Sequence, residues 1–143
     1  MIIPDTNLLL YSIFTQYPQH ARANDWWASC LNGRETIGIP PVVAAAFMRV
    51  STNPRAYETP LMPDVASTLM ATWISRPMVH VLTSGQRHVA LSLDMIRAIG
   101  TAGNLTTDAQ IAAHARIENA IVATNDTDFG RFPDIRTVNP LRD

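Results

Sequence analysis

Four aspartates occupy positions from which their carboxylates could act together. Asp5 follows the apolar run "MIIP", and Asp126 and Asp128 follow an apolar segment at 120–124. Asp108 lies in the first turn of a predicted helix that follows a glycine-bearing loop. Two unit charges about 4 Å apart repel by roughly 4 kcal/mol at an effective dielectric constant near 20. The chain has no lysine to offset such repulsion, whereas a divalent ion such as Mg²⁺, which prefers oxygen ligands, would do so.

Each of these aspartates also has an ordinary structural explanation. Asp5 could cap the helix that follows it. Asp108 would be favourable near a helix N-terminus because of the helix dipole, and Asp126 and Asp128 could be turn formers. The joint interpretation is stronger, because it explains all four residue types and positions at once.

The predicted elements determine whether these carboxylates can meet. Strand and helix patterns alternate, which favours a three-layer α/β/α sandwich with a mostly parallel central sheet of four or five strands. Strands are predicted at 2–4, 36–39, 79–82, 120–124 and 136–138. Helices are predicted at 7–14, 18–32, 42–52, 64–75 and 86–99, and a last one ends near 118, with capping-box spacing at Thr107 and Gln110. Ligands of open α/β sheets bind beyond the carboxyl ends of the strands, so Asp5 and Asp126 converge there if their strands are neighbours.

Composition limits the classes of function. A chain of 143 residues fits one domain and can bury a core without disulfides or structural metal. Its net charge of −1 is unlike that of a protein that coats nucleic acid, so any such contact must be local. All 11 basic residues are arginine, which excludes a P-loop and a catalytic lysine. The single cysteine, Cys30, and the lack of a membrane-spanning apolar run favour a cytoplasmic protein without a membrane partner.

Several motifs resemble those of one family. The segments "PDTNLLLYS", "GNLTTDAQIAAHA" and "IVATNDTDFGRFPDI" occur in that order, with an 18-residue step from Asp108 to Asp126. With these motifs the sequence resembles the PIN-domain family, in particular the VapC-type toxin ribonucleases of type II toxin–antitoxin systems. The segments "AAFMRVSTNPRAY" and "VNPL" resemble a mycobacterial branch. The resemblance spans nearly the whole chain, which we therefore interpret as a single PIN-like nuclease domain at 1–143.

The resemblance implies an endoribonuclease that depends on Mg²⁺, with Mn²⁺ as the alternative ion. It implies that Asp5, Asp108 and Asp126 are catalytic and bind the metal, and that Asp128 is a nearby acid that binds as an outer ligand. The implied substrates are RNAs of the translation machinery, either tRNA or rRNA. The implied partners are a VapB-type antitoxin and a second copy of the chain, in a homodimer.

One departure from the family pattern lies on the helix after the second strand. Many members carry glutamate where this chain has Ala46, and no acid lies between Glu35 and Glu58 to replace it. We therefore expect one firmly held metal ion, with any second ion weak or brought by substrate. Arg49 lies three residues further on the same helical side, where it either contacts a phosphate or covers apolar surface.

Arginines and small polar residues complete the candidate site. Arginine binds phosphate bidentately, although a scattered solubilising charge is the more common role of any single one. The RNA-binding candidates are Arg49, Arg55 and Arg131. Three residues could orient waters, although local turns or caps are their more common role: Thr6, Asn7 and Thr124. Of Trp26 and Trp27, we expect one to be buried and one to lie at an interface.

Two other classes of protein fit part of this pattern. A catalytically silent PIN-like module that acts only through protein contacts would explain Ala46, but the retained Asp5, Asp108 and Asp126 argue against it. A phospho-accepting receiver domain also gathers acids at a sheet edge. It needs an acidic pair after the first strand and a lysine, whereas this chain has Asp5 alone and no lysine.

Overall fold

The computed structural model describes residues 1–142 as five short strands and six helices. The strands are β1 (Ile2–Pro4), β2 (Ile37–Ile39), β3 (Val79–Val81), β4 (Ile121–Ala123) and β5 (Arg136–Val138). The helices are α1 (Thr6–Ile13), α2 (His20–Asn32), α3 (Pro41–Ser51), α4 (Pro63–Ile74), α5 (Gln86–Ile99) and α6 (Leu105–Glu118). A short 3-10 helix spans Asp128–Arg131. The predicted order of strands and helices is confirmed.

The five strands form one parallel sheet in the order β3-β2-β1-β4-β5. The central strand β1 pairs with β4, and Ile2 lies opposite Ile121 while Pro4 lies opposite Ala123. The chain first adds strands on one side of β1 and then returns to its other side, so the winding reverses between β1 and β4. Helices pack on this sheet in the predicted three-layer α/β/α arrangement, with α1 against α2 and α3, and α5 against α6.

Helix starts follow local sequence in most cases. Pro41 and Pro63 each occupy the first position of a helix, where the missing N–H costs nothing. The capping box predicted at Thr107 is wrong, because α6 already begins at Leu105 and Thr107 lies inside it. Gly103 precedes this helix with a φ of 59°, a left-handed conformation that glycine adopts without strain.

The core lies on both sides of the sheet. Phe47 is fully buried, and its ring lies 5.1 Å from that of Trp73, which packs edge-on against Trp27. Trp27 is 3% exposed, whereas Trp26 is half-buried, so the expectation of one buried tryptophan is confirmed and the interface role of the other stays a prediction. None of the helices found in residues 1–142 has the length and apolar character needed to span a membrane.

Two histidines fill the space between α5 and α6. The rings of His88 and His114 are buried and stack with their centroids 3.7 Å apart. His88 Nε2 donates to the carbonyl of Gln110 at 2.8 Å, and His114 Nε2 lies 3.1 Å from the Ser84 hydroxyl. Burial, together with the neighbouring His88, lowers the pKa of His114 to about 4. His114 is therefore a neutral packing residue at physiological pH.

Candidate metal centre and nuclease site

The position of Asp5 follows from the pairing of β1 with β4. The backbone N–H of Asp5 donates to the carbonyl of Ala123 at 2.8 Å, which extends the ladder by one residue and fixes the aspartate at the end of the strand. Its side chain is 7% exposed. Asp5 occupies the N-cap position of α1. The backbone N–H groups of Thr6 and Asn7 act on its carboxylate to lower its pKa, but the opposing effect of burial is larger, so capping alone does not explain a carboxylate buried here.

Thr124 joins the acid after β1 to the acid after β4. Its hydroxyl donates to Asp5 Oδ2 at 2.7 Å and accepts a hydrogen bond from the backbone N–H of Asp126 at 2.9 Å. The N–H of Asp128 in turn donates to Asp126 Oδ1 at 2.8 Å. An aspartate side chain commonly forms this kind of turn by accepting a hydrogen bond from the backbone two residues later. This chain of hydrogen bonds spans two strands and holds the carboxylates of Asp5 and Asp126 in fixed relative positions.

Three of the four predicted acids form a tight cluster. Asp108, Asp126 and Asp128 each offer a carboxylate oxygen within 4.8 Å of the others, and within residues 1–142 they are the one such group of three or more metal-ligating side chains. Asp5 lies outside this trio but is close enough to interact with it. The charge of Asp5 raises the pKa of Asp108, and the charge of Asp126 raises the pKa of Asp5. The individual roles of the four aspartates in metal binding stay predictions.

A cleft of about 490 Å³ opens over these acids. Its walls come from the end of β1, the start of α1, the middle of α3 and the start of α6. The residues that bear on its chemistry are Asp5, Asn7, Ala46, Arg49, Asp108 and Asp126. Ala46 and Arg49 lie one helical turn apart on the same wall, as the sequence predicted from their spacing.

Burial and mutual repulsion raise the pKa values of two of these carboxyls. The pKa of Asp108 rises to about 7, first because of burial and then because of the charges of Asp5, Asp126 and Asp128. Burial also raises the pKa of Asp5, against the opposing effect of the Thr124 hydroxyl. Within the described residues, the charged neighbours that shift these two values are all carboxylates. Arg49 lines the same cleft as an exposed, positively charged side chain.

The raised pKa of Asp108 predicts an unusual pH dependence of stability. Between about pH 4 and pH 7 the folded state holds a proton that the unfolded state has lost, so metal-free protein should lose stability over this window as pH rises. The contribution should be about 1–2 kcal/mol, after allowance for solvent screening of this partly exposed carboxyl. His114, with its lowered pKa, acts in the opposite direction below about pH 6.5.

A comparison with Asp108→Asn separates these two effects, because His114 is unchanged in the variant. Thermal midpoints measured in EDTA from pH 4 to pH 8 should show a gap between variant and wild type that widens in favour of the variant up to about pH 7. A gap that stays constant with pH would contradict a raised Asp108 pKa.

The donor set of the cleft suits a hard divalent cation. Its candidate ligands are all oxygens, as Mg²⁺ and Mn²⁺ prefer. Two further oxygens in the cleft wall, Thr6 Oγ1 and Asn7 Oδ1, are buried and have no hydrogen-bond partner within residues 1–142. Buried polar atoms are normally paired, so these two have spare capacity for water molecules around an ion.

Other predicted site residues are distributed differently. Arg55 and Arg131 are exposed but do not line the acidic cleft, and Arg131 borders a separate surface pocket beside Ile99 and Pro133. Asn104 and Gly103, which were not predicted from the sequence, also line the cleft, from the loop before α6. Their position in "GTAGNLTTDAQ", directly before the helix that carries a predicted ligand, was the available signal.

Comparison with known proteins agrees with this geometry. A family model described as "PIN domain" matches residues 2–135. Ribonuclease VapC33 of Mycobacterium tuberculosis is 42% identical over 143 residues, covering 100% of both chains. Among solved structures, M. tuberculosis VapC20, described as a sarcin–ricin loop cleaving toxin, has a TM-score of 0.72 at 16% identity and covers 95% of this chain and 99% of its own. VapBC2 from Rickettsia felis, bound to a promoter DNA fragment, has a TM-score of 0.66 at 23% identity, covering 97% and 98%.

A parallel sheet with acids gathered at its switch point, under a cleft closed by α3 and α6, is the architecture of the PIN domain. The chain belongs to the PIN-domain family, and within it to the VapC-type toxin ribonucleases.

Proposed function

We propose that this protein is a Mg²⁺-dependent endoribonuclease, the toxin of a toxin–antitoxin pair, and that it cleaves RNA of the translation machinery, either tRNA or rRNA. The observation that carries the proposal is the convergence of Asp5, Asp108 and Asp126 in one cleft from three distant parts of the chain. The full-length relative at 42% identity is named a ribonuclease, and the structural neighbour VapC20 is described as a toxin that cleaves the sarcin–ricin loop.

In this proposal the four aspartates divide the task of holding the ion. Asp5, Asp108 and Asp126 would hold Mg²⁺ directly or through water, with Asp128 completing the set; Mn²⁺ is the alternative ion. When bound, the ion supplies a water of lowered pKa and neutralises charge on the phosphoryl oxygens. Thr124 keeps Asp5 and Asp126 in register through its two hydrogen bonds.

The remaining cleft residues position the substrate and the water. The unpaired oxygens of Thr6 and Asn7 accept hydrogen bonds from waters that face the phosphate. Arg49, on α3, donates to non-bridging phosphate oxygens. Addition of water across the P–O3′ bond then leaves a 5′-phosphate and a 3′-hydroxyl.

Stabilisation by Mg²⁺ tests the proposal directly. We expect millimolar Mg²⁺ to raise the thermal midpoint, because binding to the folded state alone stabilises it by mass action and relieves repulsion among the carboxylates. Cleavage of RNA should require the same ion and stop in EDTA. If Mg²⁺ neither stabilises the protein nor supports cleavage, the result would instead favour a catalytically silent module, the alternative that Ala46 suggests.

Arg49→Gln tests the proposed phosphate contact. We expect KM to rise about five- to tenfold with little change in kcat, since a phosphate contact made equally in ground and transition states affects binding alone. Arg34→Gln is the matched control, because Arg34 is an exposed arginine that precedes the amino end of β2, whereas the acids follow the carboxyl ends of β1 and β4. Equal KM values for Arg49→Gln and Arg34→Gln would show that Arg49 does not contact the substrate.

We also propose two protein partners, a VapB-type antitoxin and a second copy of this chain. VapBC2, a structural neighbour, is a VapBC assembly by its description. Val89 and Leu93 lie one helical turn apart on α5 and are 51% and 55% exposed, which provides apolar surface for association. Light scattering of the purified chain should give twice the monomer mass, whereas a monomer at all concentrations would contradict the homodimer.

A further inference from the structure

A second pocket lies on the other side of Asp126. It has a volume of about 270 Å³ and lies at the carboxyl ends of β4 and β5, outside the acidic cleft. Its polar lining consists of Thr124, Asn125, Asp126, Thr127, Thr137, Asn139 and Arg142. Asp126 lines both the cleft and this pocket. A molecule extending from one to the other must therefore pass the acid at which we place the metal.

The hydrogen bonds within the pocket show which groups are in use. Asn139 Nδ2 donates to Asn125 Oδ1 at 2.9 Å, and Asn139 Oδ1 accepts from the backbone N–H of Leu141 at 3.0 Å. These bonds hold the walls together. They occupy the acceptor of Asn125 and leave its amide NH₂ group available to a ligand.

Several donors in the pocket have no partner among residues 1–142. They are the Asn125 amide, the hydroxyls of Thr127 and Thr137, and the guanidinium of Arg142, which is exposed and positively charged. A pocket with spare donors, engaged asparagine acceptors and one cation complements a ligand rich in acceptor oxygens and carrying negative charge. Its one carboxylate, Asp126, is the acid at which we place the metal ion, which would offset its charge. Phosphodiesters have this chemistry, and arginine, asparagine and threonine side chains are common donors to nucleic-acid phosphates.

We infer that this pocket binds the phosphate–sugar unit next to the scissile phosphodiester, so that the RNA strand crosses Asp126 from the Arg49 side to the Arg142 side. This inference rests on the proposed nuclease function and adds the path of the substrate to it. One cation then lies on each side of the acidic centre. In a protein of net charge −1, such local placement of arginines is how an RNA backbone can be held beside carboxylates.

RNA binding measured separately from cleavage tests this inference. The probe is a fluorescent single-stranded RNA of about twelve nucleotides, followed by anisotropy within seconds of mixing with the full chain in Mg²⁺. Arg142→Gln and Thr127→Val should each weaken binding, the first by roughly tenfold, and Arg142→Gln should reduce the salt dependence of binding by about one phosphate contact. Arg34→Gln, which removes the same charge near the amino ends of the strands, should bind as wild type does.

The RNA affinities of Arg142→Gln and Arg34→Gln decide whether the pocket lies on the RNA path. If Arg142→Gln and Arg34→Gln bind RNA equally well, the pocket lies off the RNA path and the inference is wrong, even where wild type cleaves RNA. If Arg142→Gln alone weakens binding but wild type cleaves no RNA, the pocket binds RNA and the nuclease proposal fails.

Discussion

Replacing Asp5 by asparagine should nearly abolish RNA cleavage while raising the thermal midpoint of the metal-free protein. Burial raises the pKa of Asp5, which means that its charged form destabilises the fold at neutral pH, and a neutral amide removes that cost. The amide oxygen can still accept the hydrogen bond from Thr124 that the carboxylate accepts now. We expect cleavage to fall roughly 10²- to 10³-fold, as for loss of one preorganised electrostatic group.

Lower cleavage together with a higher thermal midpoint distinguishes a functional acid from a structural one. Asp25→Asn is the matched control, because Asp25 is exposed on α2, away from the cleft, and its loss should change neither cleavage nor stability appreciably. Both quantities can be measured on the same preparations, by gel analysis of RNA fragments and by thermal unfolding in EDTA. Wild-type cleavage by Asp5→Asn, or loss of activity together with the fold, would contradict the assignment.

Replacing Phe47 by alanine should produce the largest loss of stability among single substitutions considered. Phe47 is fully buried and packs against Trp73, and removal of such a ring costs about 3–5 kcal/mol from lost burial and the cavity left behind. The adjacent residue Ala46, and Arg49 two residues further along α3, line the acidic cleft. Loosening the packing of this helix should therefore also weaken substrate binding.

Urea unfolding followed by tryptophan fluorescence would measure this effect as a lower midpoint at an unchanged slope. Val65→Ala on α4 is a suitable control, since Val65 is 46% exposed and its truncation should change stability by less than about 0.5 kcal/mol. A loss below about 1 kcal/mol for Phe47→Ala would mean that the core around α3 repacks freely.

Local sequence patterns predicted the elements well where the signal lies within a few residues. The apolar run before Asp5 and the segment before Asp126 are short strands, and Pro63 begins a helix, because each depends on burial or on φ at that position. The start of α6 was predicted too late. The Thr107 and Gln110 spacing fits a capping box, but the backbone instead turns at Gly103, two residues before the helix begins.

The candidate site was predictable in its acids and not in its arginines. Acids at strand ends are placed by sheet topology, so Asp5 and Asp126 could be expected to meet once their strands were neighbours. Exposed arginines on loops carry no such constraint. Of the three arginines proposed from sequence, Arg49 lines the cleft, whereas Arg55 and Arg131 do not, and Arg142 was not considered.

By itself the sequence determined the class of fold and the chemistry available to it: alternating strands and helices, four aspartates at element boundaries, no lysine, and an alanine at position 46, where the resemblance to the family predicts an acid. Only the tertiary structure decided that Thr124 joins Asp5 to Asp126, that Asp108, Asp126 and Asp128 form the closest trio, and that a second polar pocket opens beyond Asp126. The physical reason is that periodicity and caps act over a few residues, whereas distances between side chains depend on strand order and helix packing.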